Sequence, residues 1–140
     1  MKTLALIITL ILTNLIATAQ DPQEGITLTV HIENVMNDNG KVLATLHNSE
    51  TFMKGAGVDY ASADSKKGQL TLTFENITPG EYAVMLLHDE NNNKQMDFEA
   101  NGMPKENYAT SGSMQLYGPP TFDASKFEVT DEDIEFNIRF

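Results

Sequence analysis

The stretch ITLTVHIE, residues 26–33, sets an aliphatic residue at every second position: Ile26, Leu28, Val30 and Ile32. Thr27, Thr29, His31 and Glu33 fill the places between. A period of two sends the first set to one face of a strand and the second to the other, whereas a helix would spread both around its surface. The alternation returns in QLTLTFE (69–75), with Leu70, Leu72 and Phe74 on one face. It returns again in DIEFNIRF (133–140), with Ile134, Phe136, Ile138 and Phe140 set against Glu135, Asn137 and Arg139. KVLATLH (41–47) follows the first strand across NDNGK, where Gly40 is free to take positive φ. KFEV (126–129) predicts a further strand, and ITPGEY (77–82) a Pro-Gly turn.

YAVMLLH (82–88) is apolar on both faces, which predicts a central strand covered on both sides. The irregular parts are residues 48–66 and 89–121, which hold KGAG, DSKKG and YGPP. About seven short strands without helices predict an all-β fold, a small antiparallel β-sandwich of immunoglobulin-like or transthyretin-like type. A small barrel is the alternative. An outer-membrane barrel would need at least eight longer strands with an apolar outer band, and the charged outward positions argue against it.

The first nineteen residues are expected to leave. Lys2 precedes the apolar run LALIITLILTNLIA, and Ala17-Thr18-Ala19 has the small-x-small pattern of a signal-peptidase site. The run contains Thr9, Thr13 and Asn14 and is shorter than the ~20 residues of a spanning helix. The expected product is an exported single domain, residues 20–140, periplasmic or extracellular and not integral to a membrane. There is no cysteine, which excludes disulfides, thiol catalysis and thiolate metal sites. Twenty carboxylates face nine basic residues, for a net charge of −11, which disfavours nucleic acid.

The acidity concentrates in HDENNNKQMDFEANGMPKE, residues 88–106, where Asp89, Glu90, Asp97, Glu99 and Glu106 crowd together. Calcium takes six to eight hard oxygens, and loops supply them from alternate positions. Counting Asp89 as position one, oxygens recur at Asn91, Asn93, Gln95 (through its backbone carbonyl) and Asp97, the core of an EF-hand-type loop. Position six, normally glycine, is Lys94, and position twelve, normally a bidentate glutamate, is Ala100. Glu99 or Glu106 would have to supply the missing carboxylate. Asp89, Asn91, Asn93, Gln95, Asp97, Glu99 and Glu106 are therefore the candidate Ca²⁺ ligands. The competing reading is an Asn-rich turn whose amides bond to their own backbone.

The segment from Pro79 to Phe127 resembles an uncharacterised exported bacterial family, domain of unknown function 2141. The likeness rests on Pro79, Gly80 and Tyr82, then His88, Asp89, Asn91, Asn93 and Asp97. It continues through Gly102, Pro104, Glu106 and Tyr108 to Gly118, Pro119, Pro120 and Phe122. Lys94 and Asn107 stand where glycine is usual in that pattern. The resemblance implies an exported all-β domain and brings no activity with it.

A catalytic reading finds little to build on. His31 lies on a polar strand face and His47 at a strand end, while His88 beside Asp89 is a metal ligand, a base or an anchor of the loop. A lone histidine lacks the oriented partners a catalytic site needs. The clustered acids sit in one loop rather than across a cleft, unlike a glycosidase pair. Met103, Tyr108, Met114, Leu116, Tyr117 and Phe122 are expected to fold down and anchor the long loop, or else to form a recognition surface. The expectation is a non-catalytic binding or structural module whose partner is an extracytoplasmic protein or glycan. The alternatives are a carbohydrate- or peptide-binding accessory domain without metal, and a hydrolase using His88 and a nearby carboxylate.

Overall fold

The computed structural model describes residues 25–112 and 118–140. The expected leader, residues 1–19, and Met114, Leu116 and Tyr117 lie outside the described residues. The elements are strands β1 (Ile26–Val35), β2 (Lys41–His47), β3 (Asp59–Asp64), β4 (Gly68–Ile77) and β5 (Gly80–Asp89), then β6 (Tyr108–Thr110), one helical turn α1 (Phe122–Ser125), β7 (Phe127–Val129) and β8 (Ile134–Arg139). The fold is all-β, as the alternation predicts.

Two sheets form. One has the order β4-β1-β8; in the other, β3-β2-β5 continues to β6, with β7 also paired to β5. The inward side chains of both meet in a single cluster. Leu28, Val30, Ile32 and Phe74 come from the first sheet, and Val42, Ala44, Leu46, Val84 and Leu86 from the second. These are the alternate positions of each strand, so the period of two in the sequence becomes a two-layer core. Phe127 and Phe136 join the sheets at one side in an edge-to-face contact with centroids 4.9 Å apart.

Three features depart from the sequence reading. The last strand, β8, runs parallel to β1, from Leu28 opposite Ile134 to Glu33 opposite Arg139, so the first sheet is not purely antiparallel. β8 arrives from β7 in the other sheet rather than by a hairpin, and only a hairpin obliges neighbours to run in opposite senses. The Thr27 N–H donates to Asp133 Oδ1 at 2.7 Å, which fixes where the crossing chain lands. Second, residues 59–64 form β3 inside a segment expected to be irregular; DYASAD offers no buried side chain and takes its order from pairing with β2. Tyr108–Thr110 likewise pairs with β5 inside the expected 89–121 loop.

The third concerns β5. It is central, paired to β2 on one edge and to β6 and β7 on the other. Its inner residues Val84 and Leu86 are 0% and 2% exposed. Its outer residues Met85 and Leu87 are only half-buried. The second face of this strand is therefore a partly open surface rather than a sealed one. Among the described residues no helix is long and apolar enough to cross a membrane.

Phe74 is 1% exposed at the centre of the core, so Phe74→Ala removes transfer energy and leaves a cavity. Urea unfolding should show a loss of about 3–5 kcal/mol with an unchanged slope.

Candidate cation loop and the groove it roofs

Because alternate residues of a strand face opposite ways, the sequence neighbours His88 and Asp89 end on opposite sides of the sheet. His88 points into the core end and is fully buried. Its Nε2 lies 2.9 Å from the Asn39 carbonyl oxygen and 2.9 Å from Ser65 Oγ. A carbonyl can only accept, so Nε2 carries the proton. Ser65 Oγ in turn donates to the Asn37 carbonyl oxygen at 2.7 Å. Nδ1 is buried without a partner, and the ring packs against Phe140 with centroids 6.1 Å apart. His88 thus ties the 37–40 turn and Ser65 to the end of β5.

Asp89 begins the loop and is 1% exposed. Its Oδ1 accepts the Asn93 N–H at 3.1 Å and its Oδ2 the Lys94 N–H at 2.8 Å. Glu106 closes the loop, 7% exposed, with Oε1 accepting the Glu90 N–H at 3.0 Å and Oε2 the Asp97 N–H at 3.2 Å. Two carboxyl groups held so far from water need such donors, since the hydrogen bonds offset part of their desolvation. Gly40 packs directly against the Asp89 carbonyl, at φ +64°, where any Cβ would collide with it.

The candidate ligands separate into two groups. Asn91 Nδ2 and Asn93 Nδ2 both donate to Asp97 Oδ2, at 2.6 and 2.9 Å. Asp89, Asn91, Asn93 and Asp97 are thus joined in one hydrogen-bonded set, with Glu106 beneath it. Asn91 Oδ1 accepts the Asn93 N–H at 3.1 Å, and Asn93 Oδ1 accepts the Gln95 N–H at 2.8 Å. These are the self-bonded amides of an Asn-rich turn. Gln95 enters the network through its backbone, and Glu99 is exposed and bonds through its backbone to Met103 and Gly102. Among the described residues no three His, Asp or Glu side chains converge in metal-ligating geometry. Lys94 at position six adopts φ +62°, so the turn expected of glycine is made by lysine, with Asn92 beside it at φ +60°.

After this turn the chain doubles back. Glu99 N–H donates to the Met103 carbonyl and Lys105 N–H to the Asp97 carbonyl, which pairs Phe98 with Pro104. This small hairpin hangs over the outer face of the second sheet and roofs a groove of about 1150 Å³. Leu43 and Thr45 of β2 and Met85 and Leu87 of β5 form the floor. Tyr60 and Tyr108 stand on either side, placed by the registers Thr45–Tyr60 and Leu87–Tyr108. Five of the seven large apolar residues most exposed among those described, Met53, Val58, Tyr60, Phe98 and Tyr108, line it. Met103 is also exposed, whereas Phe122 packs edge-to-face on Phe52. The sequence gives no local signal for this groove, because its walls come from five separate segments.

His47 closes one end of the groove. It is 4% exposed, its Nδ1 3.2 Å from Thr51 Oγ1 and its ring edge-on to Phe52. Burial pushes its pKa below the ordinary histidine value, with Thr51 opposing the shift. His31 is bound instead on the outer face of the first sheet, between Glu135 at 2.7 Å and Thr71 at 3.0 Å.

A family model described as "Uncharacterized protein conserved in bacteria (DUF2141)" matches residues 30–137, which covers the groove, the loop and both sheets. No curated protein and no solved structure matches the chain.

Two outcomes follow from this geometry. Glu106→Ala strands the Glu90 and Asp97 N–H groups and should cost about 2–4 kcal/mol, from two charge-assisted bonds, with loss of amide-exchange protection confined to residues 89–106. The depressed pKa of His47 means that the unfolded chain binds its proton more readily. Stability present above about pH 6.5 should therefore fall as the pH drops through the folded value, and His47→Gln should flatten that part of the melting-temperature profile.

Proposed function

The chain belongs to the DUF2141 family, and on that footing we propose that it is an exported, non-catalytic β-sandwich module whose 89–106 loop takes a calcium ion. The observation that carries this reading is the convergence of Asp89, Asn91, Asn93 and Asp97 around a turn made at position six by a left-handed Lys94. In the ion-free loop the Asn91 and Asn93 amide nitrogens offset the Asp97 charge. Calcium would replace them. Turning both amides over presents Oδ1 in place of Nδ2 at the same point, at the expense of two amide-to-backbone bonds. The Gln95 carbonyl and a rotated Glu99 complete the oxygen set, while Glu106 stays on its backbone donors.

Only two carboxylates of the core set carry charge, so the affinity is modest, with a dissociation constant on the order of 10⁻⁴ M. Such a site fills outside the cytoplasm, in keeping with export to the periplasm or beyond. The ion would stiffen the hairpin above the groove and fix the outward surface that extracytoplasmic proteins or glycans meet. The sealed position of His88 supports a non-catalytic role, since its Nε2 hydrogen is engaged inside the fold.

A second reading is that the module binds a carbohydrate or peptide with the loop as scaffold alone. It is favoured by the Asn-to-Asp97 bonds, which already satisfy the acceptor a cation would use.

Calorimetric titration of calcium into chelator-stripped protein should give one-site binding and a raised melting temperature. Asp97→Asn keeps the acceptor oxygen but removes the charge, and should weaken binding at least tenfold. The side-chain amide resonances of Asn91 and Asn93 should shift together on saturation. Absence of heat and of any melting shift at several millimolar calcium would leave the loop as scaffold.

A further inference from the structure

We propose that the outer-face groove binds a long-chain carboxylic acid, with the hydrocarbon chain on the β2–β5 floor and the carboxylate at Lys94. This goes beyond the calcium reading and concerns the groove's own occupant, whether or not the loop holds an ion.

The floor decides the chemical class. β2 is paired to β3 and β5, and β5 to β2 and β6, so the backbone beneath the groove has its donors and acceptors engaged in ladders. A ligand lying there meets side chains: those of Leu43, Met85 and Leu87 offer it no hydrogen-bonding group comparable to an amide or hydroxyl, and Thr45 offers a single hydroxyl. A peptide would bring main-chain N–H and C=O groups, and a glycan a ring of hydroxyls, more than the Thr45, Tyr60 and Tyr108 hydroxyls can satisfy once water is stripped away. A hydrocarbon chain brings none. The volume, about 1150 Å³, is somewhat larger than the usual small-ligand site, room enough for a flexible chain. The thioethers of Met53, Met85 and Met96 can repack around a flexible chain.

Charge sets the orientation. Lys94 is the cationic residue of the lining, and its ammonium makes no ion pair among the described residues, whereas Lys41 and Lys126 are paired with Asp64 and Glu81. Of the loop carboxylates, Asp89, Asp97 and Glu106 are turned onto N–H donors. At the far end the lining carries Asp59, opposite Leu46, where an anionic head would be repelled. From His47 to Leu43, the β2 residues of the lining, the floor runs about 13 Å, at roughly 3.3 Å per residue, and Lys94 is held through its N–H on Asp89, two residues past Leu87. The groove thus has an apolar length with a cation at one end only. Lys94 also holds the left-handed backbone that glycine would take without strain, a cost that a ligand-binding side chain would justify.

The test is displacement of a dansyl-undecanoic acid probe from the purified protein by laurate, myristate and palmitate, run both in calcium and in chelator. Each methylene buried should tighten binding by about fourfold, so each two-carbon step should give roughly a fifteenfold gain. Phe98→Ser alters an exposed roof residue without touching the core, and Met85→Gln keeps the side-chain length; each should weaken laurate at least tenfold. Lys94→Gln should weaken laurate severalfold and leave dodecanol unchanged. No displacement in either buffer, affinity independent of chain length, or indifference to Phe98→Ser and Met85→Gln would overturn the proposal. So would tighter displacement by an oligosaccharide or an apolar peptide than by laurate, or equal laurate and dodecanol affinities in the unaltered protein. Because calcium binding is read separately by calorimetry, failure here and failure of the cation loop are distinguishable.

Discussion

At the end of the central strand two carboxylates, Asp89 and Glu106, lie almost wholly out of water and hold four backbone N–H groups between them. The donors offset the burial of both side chains, and the loop could not close without those acceptors. The dependence is mutual, which is why a stretch so rich in asparagine and acid has a defined path. The position of the hairpin, and with it the groove roof, is set by these bonds more than by apolar burial, since Phe98 and Met103 at its tip remain largely exposed.

The same strand end organises the other face. His88, one residue earlier, reaches the opposite side of the sheet and holds the 37–40 turn through the Asn39 carbonyl and Ser65. Gly40 then sits against the Asp89 carbonyl. Two adjacent residues in the chain therefore anchor two different loops. The pleat of the strand is what separates their tasks.

The parts of the fold that could be read from the chain are those in which a local period carries the information. β1, β4 and β8 alternate strongly, and their inward residues are those the alternation picks out. β3 could not be read, because Ala61, Ser62 and Ala63 leave almost no apolar signal and the strand is specified by its partner. The sense of β8 was equally illegible, since pairing between residues more than a hundred positions apart leaves no trace in either segment alone. In the loop, the spacing of Asp89, Asn91, Asn93 and Asp97 picked out residues that are hydrogen-bonded to one another. It did not reveal that Glu106 is committed to backbone donors, nor that Glu99 turns to solvent. The groove was hidden for a related reason: Leu43, Tyr60, Met85, Phe98 and Tyr108 are scattered in sequence and adjacent only across strands and under the hairpin.

The parallel pairing of β1 with β8 bears on the order of folding. The first strand has one edge waiting for the last, so the three-stranded sheet cannot close while the C-terminal segment is still missing. Long-range pairing of this kind slows folding, because the entropy of closing the chain is lost before the contact repays it. Until β8 pairs, one edge of β1 stays open and the core lacks Ile138 and the flanking Ile134 and Phe136. Refolding would therefore be paced by the time β1 and β8 take to find each other across more than a hundred residues: the topology itself would act as a timer.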